Sequence, residues 1–315
     1  MILPLNELSM RCLRKTREEC SEILLGLVSN CAKIQKVQDN LQFLLPIDFM
    51  ERSLNGEENI SRIITEWKRS GGTKQKSRAI LLSMWNRHRS FAEVNFVDCS
   101  FSINGTEESI GCLFAYKENC AVLSLNSDSA WENESIYGTY DEIKGDEWFK
   151  TSQTIPNIST KEHTDIYVQK VRDKIRDEIQ DGRKLWETRK IVFPHLVFCD
   201  SVEESLNKLE HIHIASLINS LCILEQYFSQ CDNSYDIGKV GHNARSESTT
   251  VKKSEKYKKY RLFTLPNGER KYFFDHVSFG IDFPGRIHYL PDCPSRIGYI
   301  GYIGKHLPTK EYPTI

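Results

Sequence analysis

The hydrophobic positions of the first ninety residues recur at intervals of three and four, which is the spacing of an amphipathic helix. Leucine, isoleucine, valine and cysteine follow this spacing most clearly between Ile23 and Ile34. A further helix is expected over about 57–69, stopped by Gly71 and Gly72, and another over about 73–89. The pattern therefore predicts a helical N-terminal region over residues 1–92.

From Glu93 onward the hydrophobic period changes to two, which indicates strands. Asn104-Gly105 is a hairpin signal, and the apolar runs 111–116 and 121–125 complete a predicted three-stranded antiparallel meander. Later capping boxes at Ser159 and Ser201 predict two helices, one ending near Gly182 and one reaching about Phe228, with a strand over 191–199 between them. Residues 93–232 are thus predicted to form a central domain of mixed helices and sheet.

A polar, glycine-containing stretch over 233–243 marks the next predicted boundary. Beyond it four short apolar runs, separated by turn residues that include Asn267-Gly268, predict an antiparallel sheet: 257–265, 271–279, 286–290 and 296–303. This C-terminal module covers residues 245–315. The predicted fold class is α+β: a helical N-terminal region, a central mixed layer and a C-terminal antiparallel sheet.

The charge of the 315-residue chain is unevenly distributed. The formal net charge is only -1, yet residues 245–315 hold 13 Lys/Arg against 7 Asp/Glu, a net of +6. Residues 1–244 carry the opposite excess, 29 against 36. A basic module on a mildly acidic body predicts an anionic partner for the C-terminal region.

Composition also excludes several classes of protein. No stretch approaches the roughly 18 apolar residues of a membrane span, and the first residues lack the apolar core of a signal peptide. None of the ten cysteines forms a Cys-x-x-Cys pair, so zinc-ribbon and thiol-redox motifs are not indicated. We expect reduced cysteines, a cytoplasmic location, no membrane partner, and neither a metal nor another cofactor.

The most informative candidate site lies near the C-terminus. Arg286 and His288 share one face of a predicted strand, and Lys305 and His306 end the next strand, so a hairpin would gather them at one phosphate-sized spot. Metal-free RNA cleavage needs a base, an acid and a cation, roles that histidine and arginine can fill. We assign Arg286 to the phosphate, His288 and His306 to proton transfer, and Tyr302 or Lys305 to substrate orientation. The alternative is a structural His–Arg pair.

Two basic segments are candidates for nucleic-acid binding. The first carries six cations interleaved with Tyr257 and Tyr260: Lys252, Lys253, Lys256, Lys258, Lys259 and Arg261. Phosphate attraction with base stacking is one interpretation, and an edge strand protected by lysines is the other. The second segment, residues 67–92, lacks acidic residues and places Lys74 and Arg78 on one predicted helix face. Binding of a phosphate backbone or of an acidic partner is one interpretation of this face, and a solvated surface is the other.

Two sequence segments resemble the later strands of the RelE/HigB/ParE superfamily of bacterial toxins: Arg286-Ile-His288-Tyr289 and Ile300-Gly-Tyr-Ile-Gly304-Lys305-His306. The resemblance covers about 60 residues and implies a small antiparallel sheet that binds and cleaves RNA. The whole chain is similar to bacterial proteins found among phage-defence genes. We therefore expect an anti-phage defence component that acts on RNA rather than DNA and has a partner protein from the same gene cluster. The alternative is a non-catalytic subunit that docks on a protein or nucleic acid within a larger complex.

Overall fold

A computed structural model describes residues 1–12, 14–145, 147–280 and 282–311 of the chain. The residues form two compact units, Met1–Val171 and Arg172–Ile315, which we name the N-terminal unit and the C-terminal unit. No helix among the described residues combines the length and apolar composition that a membrane crossing requires. Helices and several sheets are mixed throughout, so the predicted α+β class is confirmed.

The N-terminal unit combines helices with strands and 3-10 turns. The helices are α1 (Arg17–Gln35), α2 (Ile60–Ser70), α3 (Gly72–Trp85), α4 (Ile110–Lys117) and α5 (Lys161–Asp177), the last of which runs on into the C-terminal unit. The strands are β1 (Ile2–Pro4), β2 (Gln42–Leu45), β3 (Arg89–Ser90), β4 (Cys99–Ile103), β5 (Glu107–Glu108), β6 (Val122–Leu123), β7 (Ser135–Lys144) and β8 (Glu147–Ile158).

Two sheets organise this unit. Strands β1, β2 and β3 form a small parallel sheet, and a second sheet has the order β5-β4-β7-β8-β6. Helix α4 packs on the second sheet, where Cys112 and Leu113 meet Phe101, Ile136 and Ile155 in one apolar core. The predicted turn at Asn104-Gly105 joins β4 to β5, with positive φ angles of 54° and 74° that suit asparagine and glycine.

The run 111–116, predicted as a strand, is helix α4, and the predicted meander is therefore wrong. The helix N-terminus is satisfied by side chains: the Ser109 hydroxyl accepts from the Cys112 amide at 3.1 Å, and the Glu7 carboxylate accepts from the amides of Ile110 and Gly111. Because Glu7 lies about a hundred residues earlier, this cap is invisible to a local pattern. The long β7–β8 hairpin and the parallel β1-β2-β3 sheet are further elements that the pattern missed.

The C-terminal unit is a sheet flanked by helices. The helices are α6 (Gly182–Val192), α7 (Ser201–Asn207), α8 (Ile214–Gln230), α9 (Ile237–Val240), α10 (Thr249–Lys253) and α11 (Glu255–Lys258). The strands are β9 (Leu196–Phe198), β10 (Ala244–Ser246), β11 (Leu262–Thr264), β12 (Arg270–Tyr272), β13 (Asp275–Phe279), β14 (Gly285–Asp292) and β15 (Ile297–Lys305).

The main sheet of this unit has the order β10-β13-β14-β15-β9, antiparallel except for β9, which runs parallel to β15. One face packs on α8 through alternating apolar residues such as Ile287 and Ile303. Gly298 of β15 lets this strand approach α8 closely, since a Cβ at Gly298 would lie 2.2 Å from the Phe228 ring of α8. The β11–β12 hairpin contributes Phe263 and Leu265 to a smaller apolar cluster with Leu290 of β14.

The core of this unit includes residues from both sides of the predicted boundary at 233–243. Apolar side chains of α6, α7 and α8 pack together with those of β13, β14 and β15 in a single cluster. The sheet therefore shares its core with the preceding helices, and the observed division at 171/172 differs from the three predicted regions. The helix predicted from Ser201 to Phe228 is interrupted, with α7, a 3-10 turn at His211–His213 and α8 in its place.

One disulfide joins Cys231, just after α8, to Cys293, between β14 and β15. Their Cα atoms lie 5.5 Å apart across 62 residues of sequence. The expectation that every cysteine is a free thiol is corrected for this pair. The other eight cysteines are free, and most of them are buried.

Candidate functional site

Charged and imidazole side chains gather on the face of the C-terminal sheet that is turned away from α8. We name the following residues the polar cluster: Glu247, Arg261, His276, Arg286, His288 and His306. Strands β13 and β14 supply His276, Arg286 and His288. The period-two alternation of these strands, which sends Val277 and Ile287 into the core, turns the intervening polar residues to the other face.

His276 and His288 form the centre of the cluster. They are cross-strand partners in the β13–β14 register, and their ring centroids lie 5.1 Å apart. Both rings are buried, and His288 is only 1% exposed. Burial and the nearby Arg286 guanidinium lower the pKa of His276 to about 3, and burial with the neighbouring His276 places the pKa of His288 well below its usual value. Both rings are neutral at physiological pH.

A buried ion pair forms the second part of the cluster. Arg261 is fully buried, and its Nε and Nη2 donate to Oε1 of Glu247 at 2.9 and 2.8 Å. Its remaining donors go to the carbonyl oxygens of Tyr257, Leu307 and Pro308. This guanidinium thereby ties three separate stretches of chain together.

The predicted catalytic residues are only partly brought together. Tyr302 lies opposite His288 with ring centroids 6.0 Å apart, and Arg286 lies opposite Gly304. His306 follows β15, and burial together with Arg286 lowers its pKa. Lys305 is exposed at the end of β15.

His288 is the predicted residue whose surroundings fit its assigned role least. Its Nδ1 contacts the carbonyl oxygen of Phe273 at 3.1 Å, and a carbonyl can only accept a hydrogen bond, so Nδ1 carries the proton. A buried ring with this contact and a depressed pKa is a poor proton donor to a substrate at neutral pH. These surroundings do not favour His288 as the general acid, and its role in proton transfer stays a prediction.

The lysine-rich run forms a folded segment rather than an edge strand. Residues 249–261, which we name the lysine segment, comprise α10, α11 and the 3-10 turn Lys259–Arg261. Four of its lysines are exposed: Lys252, Lys253, Lys256 and Lys259. Lys258 is partly buried and pairs with Glu255 at 2.6 Å. Since Glu247 precedes the segment and Arg261 ends it, their ion pair closes its base.

Two of the predicted nucleic-acid contacts, Arg261 and Lys74, have other partners, and a third is half-buried. Arg261 is an internal anchor, so its prediction as a surface contact is corrected. Lys74 lies in α3 of the N-terminal unit, where it pairs with Glu22 at 3.6 Å. Arg78 lies one turn later on the same helix and is half-buried.

Glu247 and His276 are the residues that sequence reasoning missed. A carboxylate oxygen of Glu247 and one ring nitrogen from each of His276 and His288 lie within 4.8 Å of one another. Among the described residues this is the group whose spacing could hold a metal ion. The signal for His276 was present, because alternation from Val277 and Phe279 turns His276 toward the face shared by His288.

Comparison of the chain with protein-family models, with curated proteins and with solved structures finds no significant match.

Proposed function

We propose that the C-terminal unit binds single-stranded RNA through the lysine segment. The observation that carries this proposal is the concentration of four exposed lysines on one folded stretch of eight residues. The ammonium groups of Lys256 and Lys259 lie 5.4 and 5.1 Å from the ring centroids of the adjacent Tyr257 and Tyr260. Cations attract the phosphates, and aromatic rings supply stacking surfaces for bases.

The anchoring of the segment supports this proposal. Its base is fixed by the buried Glu247–Arg261 pair, and Lys252 donates to the Ser246 hydroxyl at 2.8 Å. A segment held at both ends keeps its cations at fixed spacing, which lowers the entropy lost when a polyanion binds. The net charge of +6 over residues 245–315 acts in the same direction.

The test is the salt dependence of RNA affinity, measured by fluorescence anisotropy with a labelled single-stranded oligonucleotide. The variant changes Lys252, Lys253, Lys256 and Lys259 to Ala. The matched control removes the same charge from exposed lysines elsewhere in the unit: Lys174, Lys190, Lys208 and Lys239. Each lost phosphate contact lowers the slope of log K against log salt by about 0.7, so the variant should lose roughly 3 in slope.

The two variants separate the possible outcomes. Equal losses in variant and control would show that only net charge matters and would contradict a specific surface. If wild-type protein binds no RNA but retains an acidic protein encoded beside its gene, the proposal gives way to the docking-subunit alternative. Loss of binding in the lysine variant alone supports the proposal.

We extend the proposal to cleavage at the end of β15. His306 lies close enough to Arg286 for that guanidinium to influence its protonation. In this step His306 takes the proton of a 2′-hydroxyl, whose oxygen attacks the adjacent phosphorus while Arg286 binds the phosphate. The bond to the 5′-oxygen breaks, and that oxygen takes a proton from water, while the exposed Lys305 orients the substrate. The products are a 2′,3′-cyclic phosphate and a 5′-hydroxyl.

Replacing His306 with Ala should reduce the cleavage rate by about a hundred- to ten-thousand-fold while RNA affinity remains. Replacing the exposed His242 of the same unit with Ala is the control. Cleavage that persists in the His306 variant would exclude this step. The setting we propose is anti-phage defence together with a neighbouring gene product, and plaque counts on cells with and without both genes test it.

A further inference from the structure

A carboxylate and two imidazoles meet at the centre of the polar cluster, from three positions that the sheet brings side by side. His276 pairs with His288 on one side and with Arg245 on the other. Glu247 stands two residues beyond Arg245, and its amide donates to the Phe274 carbonyl at 2.9 Å, which continues the ladder past β10. Glu247 and His276 are thus diagonal neighbours on one face, at a distance that long side chains span.

His288 and Glu247 could both act as metal ligands, and each is held in place by a hydrogen bond to a further residue, as ligands at metal sites commonly are. Because the Nδ1 proton of His288 points to the Phe273 carbonyl, its Nε2 keeps a free lone pair. Arg261 orients the Glu247 carboxylate through Oε1. A carboxylate offers about four lone-pair positions, so this pairing leaves acceptor capacity for a cation. Hydrogen bonds of this kind fix ligand tautomer and direction.

His276 supplies an independent observation. His276 is 8% exposed, and its buried Nδ1 makes no hydrogen bond of normal geometry with another described residue. Leaving a buried polar atom unsatisfied costs about 1–3 kcal/mol. One ring nitrogen of this residue lies within 4.8 Å of the candidate ligand atoms of both Glu247 and His288.

We propose that Glu247, His276 and His288 bind a divalent transition-metal ion, of which Zn²⁺ is the best match. Two imidazoles and one carboxylate form a donor set of zinc, whereas Mg²⁺ and Ca²⁺ prefer oxygen ligands throughout. Three protein ligands leave a fourth position for water or an anion. None of the four exposed lysines takes part in the site, so metal binding can be tested separately from the proposed RNA binding.

The test measures metal binding by the full-length chain after chelator treatment and dialysis. Zn²⁺ is titrated calorimetrically, and Co²⁺ is added to a second sample so that its visible absorption reports the ligand set. We expect one Zn²⁺ per chain and a Co²⁺ spectrum without a thiolate charge-transfer band, which separates this site from the free cysteines. Zn²⁺ should also raise the melting temperature, since it binds the folded state.

The variants are His276→Gln and His288→Gln, each checked for folding by circular dichroism. Either should weaken Zn²⁺ binding by at least about a hundredfold and abolish the Zn²⁺-induced shift in melting temperature. His163→Gln is the matched control, because His163 is an equally buried histidine of the N-terminal unit whose Nδ1 contacts the Ser159 hydroxyl. It should leave the stoichiometry unchanged.

The proposal is overturned if wild-type protein binds no Zn²⁺, or if the His276 and His288 variants bind it as wild type does. It is also overturned if inorganic phosphate, but not Zn²⁺, raises the melting temperature in a manner that depends on His276, because the polar cluster is then an anion site. The four-lysine variant should retain the Zn²⁺ response. Failure of RNA binding and failure of the metal site are therefore distinguishable.

Discussion

Replacing Arg261 with methionine tests whether the buried ion pair holds the C-terminal unit together. The substitution keeps much of the apolar volume but removes every donor of the guanidinium. It leaves the Glu247 carboxylate, whose side chain is 6% exposed, without its partner inside the protein. The carbonyls of Tyr257, Leu307 and Pro308 lose their contacts with Arg261 at the same time.

The expected cost follows from the burial of both partners. Removing one member of a buried ion pair destabilises a protein by about 3–5 kcal/mol. With about 2–4 °C per kcal/mol for a domain of this size, the melting temperature should fall by roughly 6–20 °C. In the double variant Arg261→Met, Glu247→Met the uncompensated charge is gone, and most of that loss should be recovered.

The assay is urea unfolding followed by circular dichroism, with chelator present so that a bound metal does not contribute. Hydrogen exchange over residues 247–308 shows where the destabilisation falls. Lys208→Met is the control, because Lys208 pairs with Glu204 on the surface, where such a change alters stability by less than about 1 kcal/mol. The reasoning is refuted if Arg261→Met costs no more than this control, or if the double variant is less stable than the single one.

Three further predictions follow from other parts of the fold. Burial lowers the pKa of His276 to about 3 and holds that of His288 well below its usual value, so below about pH 6.5 the unfolded chain binds protons that the folded chain does not. The free energy of unfolding of chelator-treated protein should therefore fall as pH drops from about 6.5 toward 3, by up to about 1.4 kcal/mol per pH unit for each histidine. His276→Gln should flatten this pH dependence, measured by urea unfolding at several pH values. Gly298→Ala should lower the free energy of unfolding in urea by about 1–3 kcal/mol, because the added Cβ clashes with the Phe228 ring. Gly26→Ala in α1 should raise it by up to about 1 kcal/mol, because no atom lies within 4 Å of the added Cβ. Native alkylation read by mass spectrometry should modify the partly exposed Cys99 well before Cys31, whose thiol is buried and has a raised pKa; equal rates would contradict the packing of α1.

Elements with strong local signals were predictable from the sequence. Helix α5 begins two residues after the Ser159 of its predicted capping box, and the hairpin turn at Asn104-Gly105 lies where glycine and asparagine allow positive φ angles. The strands β13, β14 and β15 follow alternation that a pattern can detect. In each of these cases the residues that decide the structure are neighbours in the chain.

Elements decided by distant partners were not predictable. Helix α4 depends on a cap from Glu7, and the strand predicted over 191–199, observed as β9, pairs with the distant strand β15. The polar cluster depends in the same way on the Glu247–Arg261 pair, which gives a residue that looks like a surface cation an interior role. Hydrophobic periodicity reports which face of an element is buried, but it does not report which polar groups meet on the other face.

The link between Cys231 and Cys293 turns the intervening chain into a covalent ring, and this ring contains most of the polar cluster and the whole lysine segment. A single nick within the ring, in the exposed turn at Asn267 for example, would leave both pieces attached to the rest of the molecule. Intact and nicked protein would therefore run as one species until the bond is reduced. In the chain-entropy view, closing a ring of this size lowers the conformational entropy of the unfolded chain, which destabilises the unfolded state by about 4 kcal/mol. The oxidation state of Cys231 and Cys293, two residues outside the polar cluster, thus limits how far the strands that carry this cluster can separate in unfolded or nicked protein.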